Sequence, residues 1–307
     1  MDTSKKDGLT AIILAAGKGV RMRSDLPKVL HEVWGRPLLT WVMRAAERAG
    51  ATRFVIVVGH RAGLVQKAFA ADERITWALQ RQRLGTGHAT MAAREALKGY
   101  KGKVLVLYGD TPLLDPATLR KLVKTQKKTG AHGVILTSDI EDQAGKGRVI
   151  RDRAGEIQEI IEEVDCTPEQ RAVKETNSGL YCFHAPSLFE ALKRIRPANK
   201  QGEYYLTDVV AALRQMGQKV SHVAATSVEE TLSVNNRAQL AQVAGVMMRQ
   251  RLNELMAKGV TILDPATTVV EPGARVGRDC VICPFTYIGR NAVVRAGSRV
   301  GPFAHVQ

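Results

Sequence analysis

A chain of 307 residues is long enough for two domains and a substantial core. With 45% hydrophobic and 24% charged residues, and no apolar run long enough to span a bilayer, it reads as a soluble protein with no membrane partner. Lys and Arg number 45 against 30 Asp and Glu, a net charge of +15, but the basic residues are scattered among acids, aromatics make up only 5%, and no nucleic-acid motif accompanies them. We therefore expect a solvated cationic surface on a protein that handles small phosphorylated molecules, not a nucleic-acid binder.

Residues 1–8 are polar. Residues 9–14 form an apolar run that predicts a buried strand ending at Gly17 and Gly19. Small residues at 15, 16, 17 and 19 let backbone N–H groups approach a bulky anion, and Lys18, Arg21 and Lys28 add three cations nearby. Together these features describe a phosphate site. The third glycine of a dinucleotide fingerprint is missing, because position 22 is Met, and the P-loop pattern G-x-x-x-x-G-K-[ST] is absent. The full string L-A-A-G-K-G-x-R-M, closed by Pro27-Lys28, resembles the signature of nucleotidyltransferases that join a nucleoside triphosphate to a sugar 1-phosphate. Val20 stands where those usually carry Thr.

Helical periodicity follows at 38–48, a β-branched run at 54–58, helix at 64–71, a brief strand at 76–79, helix at 89–97 and a second buried strand at 104–108. Strands alternating with amphipathic helices predict parallel βαβ units with helices on both faces. Ligands of such sheets bind beyond the carboxyl ends of the strands, which puts the loops 15–28, 80–88 and 109–112 on one rim. Residues 133–184 turn strand-rich, at 133–137, 148–150, 157–161 and 180–183, and read as an insertion that walls the pocket. Helices are expected at 186–194 and 206–216, then a long one at 237–258 stopped by Gly259.

The last fifty residues change character. Val270, Val276, Ile282, Ile288, Val294, Val300 and Val306 recur every six residues, and Gly277, Gly289 and Gly301 follow three of them. This period fits a left-handed parallel β-helix with three hexapeptides per triangular coil. The hexads make little more than two coils, so a partner subunit is expected to cover the open end. Cys280 and Cys283 fall inside this repeat with no second pair to complete a zinc site, and read as small wall residues. With Cys166 and Cys182 they imply no disulfide framework, which fits a reducing, cytoplasmic compartment.

Two further stretches carry chemistry. Asp110 directly follows a buried strand, where a carboxylate is well placed to hold a divalent cation beside phosphates; the alternative is a turn or helix-cap Asp before Thr111-Pro112. In Gln80-x-x-x-Leu84-Gly85-Thr86-Gly87-His88-Ala89, the Gln amide can donate and accept side by side, as the edge of uracil requires. The alternative is a plain loop whose Thr86 hydroxyl caps the following helix.

In order, L-A-A-G-K-G-x-R-M, S-D-L-P-K-V-L-H, Q-x-x-x-L-G-T-G-H-A, L-Y-G-D-T-P-L-L, G-K-G-R-V-I, N-S-G, Q-G-E-Y-Y-L-T-D and V-N-N-R run nearly the whole chain. The sequence closely resembles the bacterial bifunctional N-acetylglucosamine-1-phosphate uridyltransferase/glucosamine-1-phosphate acetyltransferase family. That resemblance implies a doubly wound, Rossmann-like α/β nucleotidyltransferase domain at 1–234, a linker helix at 235–259 and a short left-handed β-helix at 260–307. It implies that Leu14, Ala15, Gly17, Gln80, Gly85 and Thr86 contact the nucleotide. Arg21 and Lys28 would bind the triphosphate, and Asp110 and Asn235 would hold Mg²⁺. Tyr108, Gly147, Glu162 and Asn177, with Asn235, would line the N-acetylglucosamine pocket.

The implied reaction joins UTP to N-acetylglucosamine 1-phosphate, for cell-wall precursor synthesis, in a homotrimer built through the β-helix. Two departures stand out. Where many relatives read E-H-K-D, this chain has Glu162-Glu163-Val164-Asp165, which removes a Lys on the sugar-phosphate side. The family's β-helix also continues well beyond 307 residues and carries the acetyltransferase site, so acetyl transfer is not expected of this chain. The competing readings are a sister enzyme taking another hexose 1-phosphate or dTTP, a hexapeptide acyltransferase, and a non-catalytic nucleotide-binding protein.

Overall fold

The computed structural model describes residues 8–139 and 145–307; residues 1–7 of the polar N-terminus, and 140–144, lie outside the described residues. Two compact units divide the chain, one of Met1–His31 with Pro37–Asn235 and one of Glu32–Arg36 with Asn236–Gln307.

The elements in chain order are β1 (Leu9–Ala15), β2 (Glu32–Val33), β3 (Arg36–Pro37), α1 (Leu38–Arg48), β4 (Ala51–Val58), α2 (Ala62–Ala68), β5 (Ile75–Leu79) and α3 (Thr86–Ala92). Then come β6 (Lys103–Tyr108), α4 (Pro116–Thr129), β7 (Gly133–Asp139), β8 (Arg148–Arg151), β9 (Ile157–Ile161), α5 (Pro168–Arg171) and β10 (Glu175–His184). The remainder of the first unit is α6 (Ala185–Leu192), α7 (Asp208–Gln215) and β11 (Val220–Ala224), and α8 (Arg237–Ala257) opens the main part of the second.

Among the described residues the first unit holds a nine-stranded sheet with the order β11-β7-β10-β6-β1-β4-β5, to which β8 and β9 attach through β10. Period-two alternation along β1 explains its two layers: Ala11 and Ile13 face one core, and Ile12 and Leu14 the other. The first core takes Leu39 and Val42 of α1, Val65 of α2, and Leu119 and Leu122 of α4. The second takes Ala89 of α3, Leu188 of α6 and Val209 of α7. Each such buried Val or Leu side chain contributes about 1.5–3 kcal/mol, which fixes the sheet between its helices. Among the described residues no helix is long and apolar enough to cross a membrane.

The sheet departs from an all-parallel one. Strands β1, β4, β5 and β6 run parallel, but β10 is inserted antiparallel between β6 and β7. So 133–184 is not wholly an insertion: β7 and β10 belong to the main sheet, and only β8 and β9 stand off it. Pairing order is a long-range property that the local pattern of either strand does not contain. The helix expected at 89–97 starts earlier, at Thr86, and breaks into a separate 3-10 turn at Glu95–Leu97. Helix α4 and strand β11 had no counterpart in the sequence reading. The start of α4 is set by Asp115, whose carboxylate accepts from the Ala117 N–H at 2.8 Å, with Pro116 at the first position.

In the second unit the hexad aliphatics end successive two-residue strands. Val270 pairs with Ile288 and Ile288 with Val306, Val276 with Val294, and Ile282 with Val300, each eighteen residues apart in parallel register. Eighteen residues per coil is three hexapeptides, the short left-handed β-helix that the period predicts. Cys280 and Cys283 are buried free thiols in its wall. Helix α8 packs on the first coil through Met248, Leu252 and Leu255, and Arg251 donates to the Ala274 carbonyl at 2.7 Å. The Glu32–Arg36 hairpin joins this unit: the Trp34 indole N–H donates to the Ala244 carbonyl at 3.1 Å, and Arg290 to the Trp34 carbonyl.

Candidate active site

The loops after β1, β5 and β6 leave the same rim of the sheet because their strands are parallel. Gly109 N–H donates to the Leu14 carbonyl at 3.0 Å, tying the β6 loop to the β1 loop. Gly59 sits between the β1 and β5 loops: a Cβ there would lie 2.9 Å from the Ala16 carbonyl oxygen and 3.2 Å from that of Gln80. Three separate glycine-bearing turns therefore converge.

Behind the β1 loop, buried Met22 anchors a 3-10 turn, Val20–Met22, and Gly19 adopts φ +63°. A Cβ on Gly19 would lie 2.8 Å from Lys28 Cβ, so this glycine lets the loop close on the stem of Lys28. Val29 and Leu30 are buried and hold Lys28 in place. The Lys28 ammonium forms an ion pair with the Asp110 carboxylate and donates to Asn235 Oδ1 at 3.0 Å. Arg21 Nη2 donates to the same Asn235 oxygen, also at 3.0 Å. Asn235 is positioned in turn, with its amide donating to Ser233 Oγ at 3.0 Å and Val234 N–H to the Asp110 carbonyl at 2.9 Å. Arg21, Lys28, Asp110 and Asn235 thus meet at one point, although up to 214 residues separate them in sequence.

This cluster carries two cations and one carboxylate, an excess of positive charge suited to a polyphosphate. Its ammonium touches the oxygens of both Asp110 and Asn235, so two hard oxygen donors already face one cationic position. That donor set fits Mg²⁺, which takes one or two protein oxygens and fills its shell with phosphates and water.

Just past β5, Gln80 is buried; its amide donates to the Gly85 carbonyl at 3.2 Å and meets His88 Nδ1 at 3.0 Å. Gly85 has φ +104°, and a Cβ on it would lie 2.5 Å from the Tyr204 carbonyl oxygen. Thr86 does not cap its own helix: its hydroxyl accepts from Leu206 N–H at 3.0 Å. Leu14 and Ala15 line the end of β1. Gly17 is exposed, and a Cβ there would meet no protein atom within 4 Å. Space beside Gly17 is therefore available to a ligand. Gly17→Ala should leave the melting temperature unchanged or slightly higher, since the backbone is compatible. It should lower kcat/KM for the nucleotide about 10- to 100-fold, because small displacements of reacting groups are costly. Steady-state kinetics beside a thermal melt checks both halves.

The opposite wall gathers the remaining candidates. Asn177 N–H donates to the Gly147 carbonyl at 2.8 Å, and its side chain bridges the Tyr181 hydroxyl at 2.7 Å and Gly179 N–H at 3.1 Å. Gly179 has φ +75° and lies under the Tyr108 ring, 2.7 Å from where its Cβ would be. Glu162 accepts from the Thr207 hydroxyl at 3.0 Å and stands 3.4 Å from a Gly147 Cβ position. Burial pushes the Glu162 carboxyl up, and burial beside Glu162 and Asp110 pushes the Tyr108 phenol up. Tyr108, Gly147, Glu162 and Asn177 share this wall. Asn235, expected at both metal and sugar, joins the Arg21, Lys28 and Asp110 cluster. Thr207, Leu206 and Gly179 complete the site and were not singled out from sequence, although the Q-G-E-Y-Y-L-T-D and N-S-G strings contain them.

Asp208 follows directly, and its carboxyl is pushed up to about 6 by burial and by Glu162, Asp165 and Glu159. With a native value above that of the unfolded chain, the folded state binds more protons between about pH 4 and 6, so this group costs stability as pH rises through that window. Asp208→Asn should therefore stabilise the protein above pH 6 by about 1 kcal/mol, after allowance for solvent screening and a favourable helix N-terminus. Melting curves from pH 4 to 8 should show the gain growing with pH; a gain independent of pH would refute this account.

Comparison with known proteins agrees with this geometry. A model of the MobA-like NTP transferase domain matches residues 11–220, and one of the bacterial transferase hexapeptide repeat matches residues 267–302. The bifunctional protein GlmU of Geobacter metallireducens is 46% identical over 95% of this chain, and that of Pelotomaculum thermopropionicum 48% over 91%. The chain spans 61% and 60% of their lengths. GlmU of Shouchella clausii is 40% identical, with 98% of this chain matching 73% of that protein. A UDP-glucose pyrophosphorylase solved with UDP-glucose shares the fold at 18% identity, with a TM-score of 0.64 over 79% of this chain and 99% of its own. With a nucleotidyltransferase domain, a hexapeptide repeat and these relatives, the chain belongs to the GlmU family.

Proposed function

We propose that this chain is a Mg²⁺-dependent uridylyltransferase that joins UTP to N-acetylglucosamine 1-phosphate and releases pyrophosphate. The observation that carries it is the convergence of Arg21, Lys28, Asp110 and Asn235 at one point, on the sheet rim that also carries the Gln80–Thr86 loop. Arg21 and Lys28 bind the triphosphate, Asp110 and Asn235 hold Mg²⁺, and the bound ion supplies charge neutralisation at the phosphates. A phosphate oxygen of the sugar 1-phosphate attacks the α-phosphorus in line; the new P–O bond forms as the α–β bridge breaks, and its electron pair leaves with pyrophosphate. Positioning and neutralisation carry the rate, with no covalent enzyme intermediate.

We place this chemistry in the first unit, in the cytoplasm, and assign subunit association, as a homotrimer, to the repeat. Phe285 and Phe303 support that assignment: they stack at 5.0 Å on the repeat and are 56% and 78% exposed. Light scattering checks the stoichiometry. Pyrophosphate release with UTP and Mg²⁺, comparing N-acetylglucosamine, glucosamine and glucose 1-phosphates, tests the function. Release with the N-acetylated sugar is expected. Release only with another sugar, or only with dTTP, would move the chain to a sister specificity, and none with any pair would sink the catalytic reading.

A further inference from the structure

The segment from Lys200 to Thr207 touches both halves of the site. Toward the nucleotide loop, Tyr204 N–H donates to the Leu84 carbonyl at 2.8 Å, Gly87 N–H to the Tyr204 carbonyl at 2.7 Å, and Leu206 N–H to Thr86 Oγ1 at 3.0 Å. Gly87, like Gly85, is small for this contact: a Cβ on it would lie 2.9 Å from the Tyr204 carbonyl oxygen. Toward the sugar wall, the Thr207 hydroxyl donates to Glu162, Lys200 N–H donates to Asp165 Oδ1 at 3.0 Å, and the Lys200 ammonium donates to the Val164 carbonyl. The segment is also braced internally. Asn199 Oδ1 accepts from the N–H groups of Gln201 and Glu203 at 3.2 and 3.1 Å, and the Tyr205 hydroxyl donates to Gln201 Oε1 at 2.8 Å. Glu162, Asp165, Lys200, Tyr205 and Asp208 border a cavity of about 620 Å³.

The Lys200 ammonium falls at a telling position. The stretch Glu162-Glu163-Val164-Asp165 carries no cation of its own on the sugar wall, and Lys200 brings one to the carbonyl of Val164. We propose that residues 200–207 form a strap coupling the nucleotide and sugar-phosphate half-sites, with Lys200 the positioning residue that latches it to the sugar wall. This inference rests on the nucleotidyltransferase reading. A nucleotide that settles against Gly85 and Thr86 bears on the strap through its bonds to Gly87 and Thr86, and the strap presents Thr207 and Glu162 to the sugar, so each ligand tightens the other by the same factor. With the latch cut, the strap keeps only the Thr207 and Lys200 N–H bonds to the sugar wall, and the coupling weakens.

Calorimetric titration tests this, using the non-reacting analogue α,β-methylene-UTP with Mg²⁺, in the presence and absence of N-acetylglucosamine 1-phosphate. In the unaltered chain the sugar phosphate should tighten analogue binding about fivefold or more, the lower range of coupling between sites. In Lys200→Met the enhancement should fall below about twofold, while Lys200→Arg, which can still donate to the Val164 carbonyl, should restore most of it. Lys200 is exposed, so both variants should fold, and thermal melts verify this. Steady-state kinetics adds a second readout: KM for the sugar phosphate should rise about fivefold in Lys200→Met, and kcat should change far less. Full coupling retained in Lys200→Met overturns the strap, as does an unaltered chain that binds both ligands without coupling; in both cases the nucleotidyltransferase reading stands. An unaltered chain that binds neither ligand overturns both.

Discussion

Asp110→Asn should abolish pyrophosphate release almost completely, by about 10³-fold in kcat or more, while the protein stays folded. Neutralisation of phosphate charge by a divalent cation contributes several kcal/mol to the transition state, and about 1.4 kcal/mol is a factor of ten in rate. The carboxylate is the anionic member of the Asp110 and Asn235 donor pair, and its loss leaves two neutral amides to hold a hard dication. Asn is a better test than Ala because it keeps the volume and one oxygen that can still accept from Lys28. The backbone bond from Val234 N–H to the Asp110 carbonyl is untouched, so the turn that carries Asn235 keeps its anchor. Losing an ion pair that is only partly desolvated, with side chains 16% and 13% exposed, should cost less than the 3–5 kcal/mol of a fully buried broken pair. Binding of Mn²⁺ to the protein with UTP, followed by its electron paramagnetic resonance, gives a readout independent of turnover and should weaken in parallel. Activity within tenfold of the unaltered protein would remove Asp110 from the metal site.

The legible parts of the molecule are those whose signal is local. The β1 run, the α1 periodicity and the hexad register from Val270 to Val306 each repeat a pattern within a few residues, and each appears in the structure at or near the expected bounds. Helix α4 was invisible because its exposed face is mostly cationic, at Arg120, Lys121, Lys124, Lys127 and Lys128, and few apolar residues mark its inner side. The Asp115-Pro116 start and Gly130 stop were the signals that could have found it. Strand β10 reads only as 180–183, because its ladder shifts register between Asn177 and Tyr181, where Gly179 turns with φ +75°. In the site, Gly17, Lys28 and Asp110 announce themselves by residue type beside a strand end. Asn235 and Thr207 carry no such mark, since an amide and a hydroxyl far along the chain acquire meaning only when folding brings them to Lys28 and Glu162. Only the family resemblance reached Asn235, and the sequence reading assigned no role to Thr207.

Lys28→Met should lower kcat/KM for UTP by about 10²–10³, the scale of losing one donor aimed at developing charge. Met preserves the apolar stem that packs 2.8 Å from the Gly19 Cβ position, and the buried neighbours Val29 and Leu30 keep the turn, so the change is confined to the ammonium. In the ligand-free chain that ammonium is held by Asp110 and Asn235. On the proposed reading the ammonium would trade the carboxylate for a phosphate of the bound triphosphate, freeing Asp110 and Asn235 to hold Mg²⁺, while Arg21 keeps a second cation on the same Asn235 oxygen. Because Lys28 and Asp110 act on one charge, their losses should not multiply. The Lys28→Met/Asp110→Asn double variant should be less impaired than the product of the single losses, with an interaction of about 0.5–3 kcal/mol. Lys28→Arg should rescue poorly, since a guanidinium is a wide planar fork and Arg21 already occupies one approach to Asn235. Single and double variants assayed for pyrophosphate release at several UTP concentrations give the cycle directly. Strictly multiplicative losses would mean that the two side chains touch in the free protein but serve separate steps, and would remove the exchange of partners from the mechanism.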